Sequence, residues 1–108
     1  MNSSIVIALP KIDDAKKIRT ILNRHGFPVA AVCSTASTAL ASMSELDGGI
    51  LICGYKLTDR YYRDVLEDIP SYFEMLLLAS GRVIAEAPTS VLTVEMPMKV
   101  SDLVNTVD

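Results

Sequence analysis

One histidine, two cysteines and a Ser-Gly pair are the side chains from which a nucleophilic or metal-assisted reaction would have to be built in this 108-residue sequence. With His25 as the sole imidazole, serine-hydrolase triads and HExxH zinc motifs have little to build on. His25 follows the expected end of a helix, where an imidazole can cap the last carbonyls. Ser80-Gly81 lacks the preceding glycine of a nucleophile turn and a convincing base. Cys33 and Cys53 each fall in or beside an apolar run, which makes them core thiols. Two scattered cysteines are neither a disulfide framework nor a zinc signature. Phosphate binding fares no better. Leu9-Pro10-Lys11 follows the first apolar run, where a dinucleotide or P-loop fold would place glycines and a flavin fold a run of Ser, Thr and Gly. Carboxylates near the corresponding turns are Asp13 and Asp59, and each is expected to serve a helix N-terminus. Tyr55 and Tyr61 could stack on a planar ligand, although such tyrosines are usually half-packed surface residues.

These residues hang on an alternation of short apolar runs and helical periods. Ile5–Leu9 is apolar at every position, as suits a strand covered on both faces. Ala15, Ile18, Ile21, Leu22 and His25 then form one helical stripe from Ile12, with Asp13 and Asp14 in the first turn and Gly26 as the stop. Pro28 opens a second strand, Val29–Val32. Ser34 or Ser37 is expected to cap a helix striped by Ala36, Ala39, Leu40, Met43 and Leu46, which Asp47-Gly48-Gly49 ends. Ile50–Cys53 is a third strand, closed by Gly54. Thr58 or Asp59 is expected to cap a helix with Tyr62, Val65, Leu66 and Ile69 on one face, stopped by Pro70. Met75–Leu78 and Val91–Val94 read as strands four and five. A short helix over Arg82–Ala87 lies between them, and Val100, Leu103, Val104 and Val107 stripe the last one. Five strands alternating with five helices predict an α/β fold: a doubly wound parallel sheet of order 2-1-3-4-5 with helices on both faces.

Composition narrows the setting. Half of the residues are apolar and mean hydropathy is +0.34, so the chain should bury a full core as one domain over residues 1–108. Its longest apolar runs are far below the roughly 18–20 residues of a membrane span, and no secretory signal opens it. A cytoplasmic protein with no membrane association is expected. A net charge of −3 disfavours a broad grip on DNA or RNA. The basic cluster Lys11, Lys16, Lys17, Arg19 and Arg24 reads as the solvated face of the first helix, with partner docking as the alternative. Asp108 would place a carboxylate at the negative end of a helix still in progress, so a longer parent protein is expected.

Over its whole length this pattern resembles the receiver domain of two-component response regulators, a flavodoxin-like fold. The family's pocket, as the resemblance implies it, uses two carboxylates after strand one and an aspartate ending strand three to hold Mg²⁺ and accept a phosphoryl group. A Ser or Thr ending strand four and a Lys-Pro after strand five read the phosphate. Clustered carboxylates bind a hard cation that offsets charge during in-line transfer. Aligned without gaps from Ile5 to Leu22, the acid pair falls on Leu9 and Pro10, and the acceptor falls on Gly54. The hydroxyl falls on Ala79, with Ser80 one residue late, and the lysine on Met96. Only Pro97 matches, and the resemblance implies a cis Met96–Pro97 bond.

Segments 53–59 and 96–104 look like degenerate receivers joined to ANTAR output domains, which bind RNA in transcription antitermination. The expectation is therefore a non-enzymatic, cofactor-free pseudo-receiver acting as a regulatory and dimerisation module. It would contact RNA only through an output domain outside this chain. A homodimer would form through helix 4, strand 5 and helix 5, with Met98, Val100 and Val104 on or near that face. Two alternatives stand beside it. One is a phosphoryl-accepting receiver with carboxylates displaced to Asp13 or Asp59; the other is a flavodoxin-like small-molecule binder using Pro10, Tyr55 and Ser80.

Overall fold

A computed structural model describes residues 4–96 and 100–107 of the chain. The interior strands carry two apolar sets in strict alternation, because successive side chains of a strand point to opposite faces. On one face Val6, Ala8, Leu51, Cys53, Met75 and Leu77 pack against α2 (Ala36–Ser44), α3 (Tyr62–Asp68) and α4 (Gly81–Ala85). On the other, Ile5, Ile7, Ile52, Leu76 and Leu78 pack against α1 (Ile12–Arg24) and α5 (Val100–Val107). The strands are β1 (Ser4–Ala8), β2 (Val29–Cys33), β3 (Gly49–Gly54), β4 (Phe73–Ala79) and β5 (Leu92–Glu95), all paired in parallel in the order β2-β1-β3-β4-β5. This is the doubly wound sheet expected from the sequence. Burial on both faces holds for β1, β3 and β4 but not for the flanking strands: β2 and β5 each carry half-exposed residues, since an edge strand has a neighbour on one side only. No helix among the described residues is long and apolar enough to cross a membrane.

Helix ends are where expectation and structure part. α1 ends as Gly26 donates its N–H to Asn23 and Phe27 donates to Leu22, a Schellman pair with Gly26 at φ +82°. The backbone thus does the work assigned to the His25 imidazole, which makes no hydrogen bond among the described residues. α2 is capped by Thr35, whose hydroxyl accepts from the Thr38 N–H at 3.2 Å, and not by Ser34 or Ser37. α3 begins after Tyr61 with no side-chain cap, so neither Thr58 nor Asp59 serves it. α4 is one turn at 81–85 rather than 82–87; Ile84 and Ala87 pack partly against the core, and Pro88 follows. Met96–Pro97 and Met98 fall across or outside the described residues. Val100 opens α5, and Val104 is half-buried on it.

Gly49 sits where β3 starts beside Ser4, and a Cβ there would overlap the Ser4 carbonyl oxygen and lie 2.7 Å from its nitrogen. Gly26 has open space around it and needs only its left-handed φ. Gly26→Ala is therefore expected to cost about 1–2 kcal/mol from backbone strain alone, and Gly49→Ala distinctly more because β1 and β3 must separate. Urea unfolding of the two variants measures this, and equal losses would refute the close approach.

Candidate functional site

In a doubly wound sheet the ligand edge lies beyond the carboxyl ends of the strands. Here that edge brings together Leu9 and Pro10 after β1, Gly54 at the end of β3, Ala79 at the end of β4 and Met96 after β5. Parallel register puts Ala8 beside Cys53, so the next residues along, Leu9 and Gly54, become neighbours. A Cβ at Gly54 would stand 3.1 Å from Leu9 Cδ2 and 3.6 Å from Pro10 Cδ. The space beyond β3 is therefore filled by hydrocarbon. The Met96 N–H donates to the Ala79 carbonyl at 2.8 Å, closing the β4–β5 end. Leu9, Pro10, Leu78 and Met96 continue into an open groove of about 340 Å³ bordered on α1 by Ile18, Ile21, Asp14 and Lys17.

The oxygens available at this edge are dispersed. Ser80 is exposed and precedes α4, with its carbonyl accepting from the Ile84 N–H at 3.0 Å. The Glu95 carboxylate lies against Gly81, so it adds negative charge between β4 and β5. Asp13 is exposed in the first turn of α1. Among the described residues no three His, Cys, Asp or Glu side chains converge as a cation site.

Asp59 has a defined structural task, across 23 residues of sequence. Its Oδ1 accepts from the Ala36 N–H at 2.7 Å, and its Oδ2 accepts from the N–H and hydroxyl of Ser37, each at 3.2 Å. Thr58 adds a hydroxyl donation to the Ser34 carbonyl at 3.0 Å. The β3–α3 connection is thereby stitched to the start of α2, where free N–H groups and the helix dipole favour an anion. The same connection folds back on itself: Leu57 donates to the Arg60 carbonyl and Tyr62 to the Tyr55 carbonyl, while Leu57 anchors it in the core. The Ala36 N–H, with lesser help from the Ser37 contacts, holds the Asp59 carboxyl below its ordinary range against the opposing effect of desolvation. Burial pushes the Cys53 thiol up to about 12, in keeping with a packed core thiol rather than a nucleophile.

Sequence reasoning missed two things here. One is the Asp59–α2 stitch. The other is the convergence of Tyr62, Arg63 and the end of α4 on Tyr55 and Tyr61, for which the crowding of three tyrosines within eight residues was the available signal.

No protein-family model matches the chain, and no curated protein matches it. Solved structures do. The anti-anti-sigma factor PhyR from Bartonella quintana superposes with a TM-score of 0.80 at 17% identity, covering 99% of this chain and 46% of its own. A response regulator receiver domain protein from Clostridium thermocellum gives 0.84 at 16% identity, covering 97% and 90%. A structure described as adenylate cyclase from Rhodopirellula baltica gives 0.86 at 16% identity, covering 99% and 85%. The fold is that of the response-regulator receiver domain. The chain spans about half the length of the PhyR protein it matches.

Asp59 also yields an acid-range expectation. Its carboxyl titrates lower in the fold than in the unfolded chain, so the ionised form stabilises the protein above the ordinary carboxylate pKa, and this contribution fades as pH falls through the lowered value. Asn keeps one acceptor oxygen but no charge. Asp59→Asn should therefore be less stable than the parent at neutral pH, and the gap should narrow below about pH 4. Paired thermal melts across that range check it; a gap that stays constant would remove the ionic part of the stitch.

Proposed function

We propose that the chain is a non-enzymatic pseudo-receiver: a receiver scaffold that regulates by packing and association rather than by carrying an aspartyl phosphate. The observation that carries this reading is the contact of Leu9 and Pro10 with Gly54. A phosphoacceptor needs a side chain at the end of β3, carboxylates beside it for a divalent cation, and a cationic reader after β5. Gly54, Leu9 with Pro10, and Met96 offer hydrocarbon in those places. Unpaired carboxylates introduced among such groups would be costly, so a single substitution is not expected to restore a pocket. Relocation to Asp59 is disfavoured because both of its oxygens already accept hydrogen bonds from α2.

Incubation with acetyl phosphate and Mg²⁺, followed by mass spectrometry of the intact chain, is expected to show no phosphoryl gain. A gain mapped by peptide analysis to Asp59 or Asp13 would overturn the reading in favour of a displaced acceptor.

The mode of association belongs to the same proposal. We infer self-pairing through α4, β5 and α5, and an output delivered by a further RNA-binding module of the ANTAR kind in antitermination signalling. The resemblance of segments 53–59 and 96–104 supports the output. The 46% share of the PhyR protein that this fold occupies gives a parallel for a receiver within a longer regulator. Sedimentation of residues 1–108 at high micromolar concentration should show a dimer that carries no added RNA; a strict monomer or RNA co-sedimentation would contradict it.

A further inference from the structure

The β3–α3 connection and α4 enclose a second cleft, also of about 340 Å³, away from the strand-end groove. Three tyrosines wall it. Tyr55 and Tyr61 are nearly half exposed, at 47% and 45%, while Tyr62 is buried. The Tyr55 ring meets that of Tyr61 edge-on at 5.4 Å between centroids and that of Tyr62 at 6.0 Å. Val83, Asp64, Glu86 and Arg63 complete its lining.

The charges at this cleft have an order. Arg63 lies 5.6 Å over the Tyr62 ring and donates to the Glu86 carbonyl at 2.7 Å, so it is committed to joining α3 to the end of α4. Lys56 hangs over the Tyr61 ring at 5.3 Å, on a long exposed side chain. Two of the three rings thus already face a cation supplied by the chain itself. The carboxylates of Asp64 and Glu86 make no hydrogen bond or ion pair among the described residues. Aromatic faces together with free carboxylates select for positive charge, and a weakly hydrated cation loses least on leaving water.

We propose that this cleft binds a methylated ammonium group. Tyr55 and Tyr61 supply the ring faces, Asp64 and Glu86 supply the counter-charge, and Lys56 is the internal cation that the ligand displaces. An uncharged ligand of the same shape would gain nothing from the two carboxylates. The lining of the cleft shares no residue with the strand-end groove.

Choline and its uncharged carbon isostere 3,3-dimethyl-1-butanol separate these possibilities. Each is titrated into the ¹⁵N-labelled chain at constant ionic strength, and the amide resonances of 55–64 and 83–86 and the ligand methyl resonance are followed. Choline should bind with millimolar affinity and shift its methyls upfield under the rings. It should bind at least roughly tenfold tighter than the isostere. Tyr55→Ala and Tyr61→Ala, both at exposed rings, should each weaken it about fivefold. Lys56→Ala should tighten it by removing the competitor. Amide spectra of the free variants confirm that they are folded. Equal affinity for the two probes, shifts confined to other residues, no shifts at saturating choline, or weaker binding by Lys56→Ala would each overturn the proposal.

Discussion

The registry between β1 and β3 is the constraint on which the rest of this molecule turns. It begins with Ser4 opposite Gly49, where only the lack of a side chain lets the two backbones meet, and runs unbroken to Ala8 opposite Cys53. A slip of one residue would exchange the two apolar sets of β3 between the helical layers and mispack both. The same ladder dictates what happens one step further on. Leu9 and Gly54 must be neighbours at the carboxyl edge, and the chemistry of that edge follows from which side chains occupy them.

A sheet held in this way can keep its shape while its edge changes character. The fold is specified by the alternating sets Ile5, Ile7, Ile52, Leu76 and Leu78 on one side and Val6, Leu51, Cys53, Met75 and Leu77 on the other. Of these only Leu78 borders the ligand edge. Solved structures superpose with TM-scores of 0.80 to 0.86 at 16–17% identity, which fits a scaffold encoded by periodicity rather than by particular residues. Function resides in sites grafted on such a scaffold. Burying Leu9 stabilises the end of β1 while Pro10 and Met96 stay exposed beside it, whereas clustered carboxylates there repel one another unless a cation offsets them.

What the sequence revealed and what it hid follow the same physical line. Strand order and the helical stripes of Ala15, Ile18 and Leu22 or Ala36, Ala39 and Met43 are period-bound and local, so they were legible, and the residues at the sheet edge could be placed from them. Helix starts were not. A cap is chosen by competition among several hydroxyls and carboxylates, and the winner depends on neighbours far along the chain. Thr35 prevails at α2 because it sits one residue before the first helical turn, and Asp59 reaches that turn only because the β3–α3 connection folds back on Leu57. No spacing rule links residue 59 to residue 36. The tyrosine cleft was hidden for the same reason, since one of its walls comes from the end of α4, where the sequence signal is weakest.

The β3–α3 connection deserves its place at the centre of a functional reading for a mechanical reason. Receiver-type scaffolds transmit change only if some segment has two arrangements whose balance a ligand can bias. Here the strand ends near Gly54 are packed shut, but the connection that follows is held by groups at its surface: the exposed Asp59 carboxylate, the Thr58 hydroxyl, and the rings of Tyr55 and Tyr61. Its only deep anchor is Leu57. A segment tied by one buried side chain and several exposed polar contacts opens at a lower cost than the strands that flank it. Thr58 and Asp59, which stitch this connection to α2, and Tyr55 and Tyr61, which line the aromatic cleft, belong to one short segment, so the cleft and the position of α2 share a common element. On the proposed reading, a route from a binding event to a movement of the surface runs through residues 55–62 rather than through a phosphate at the end of β3.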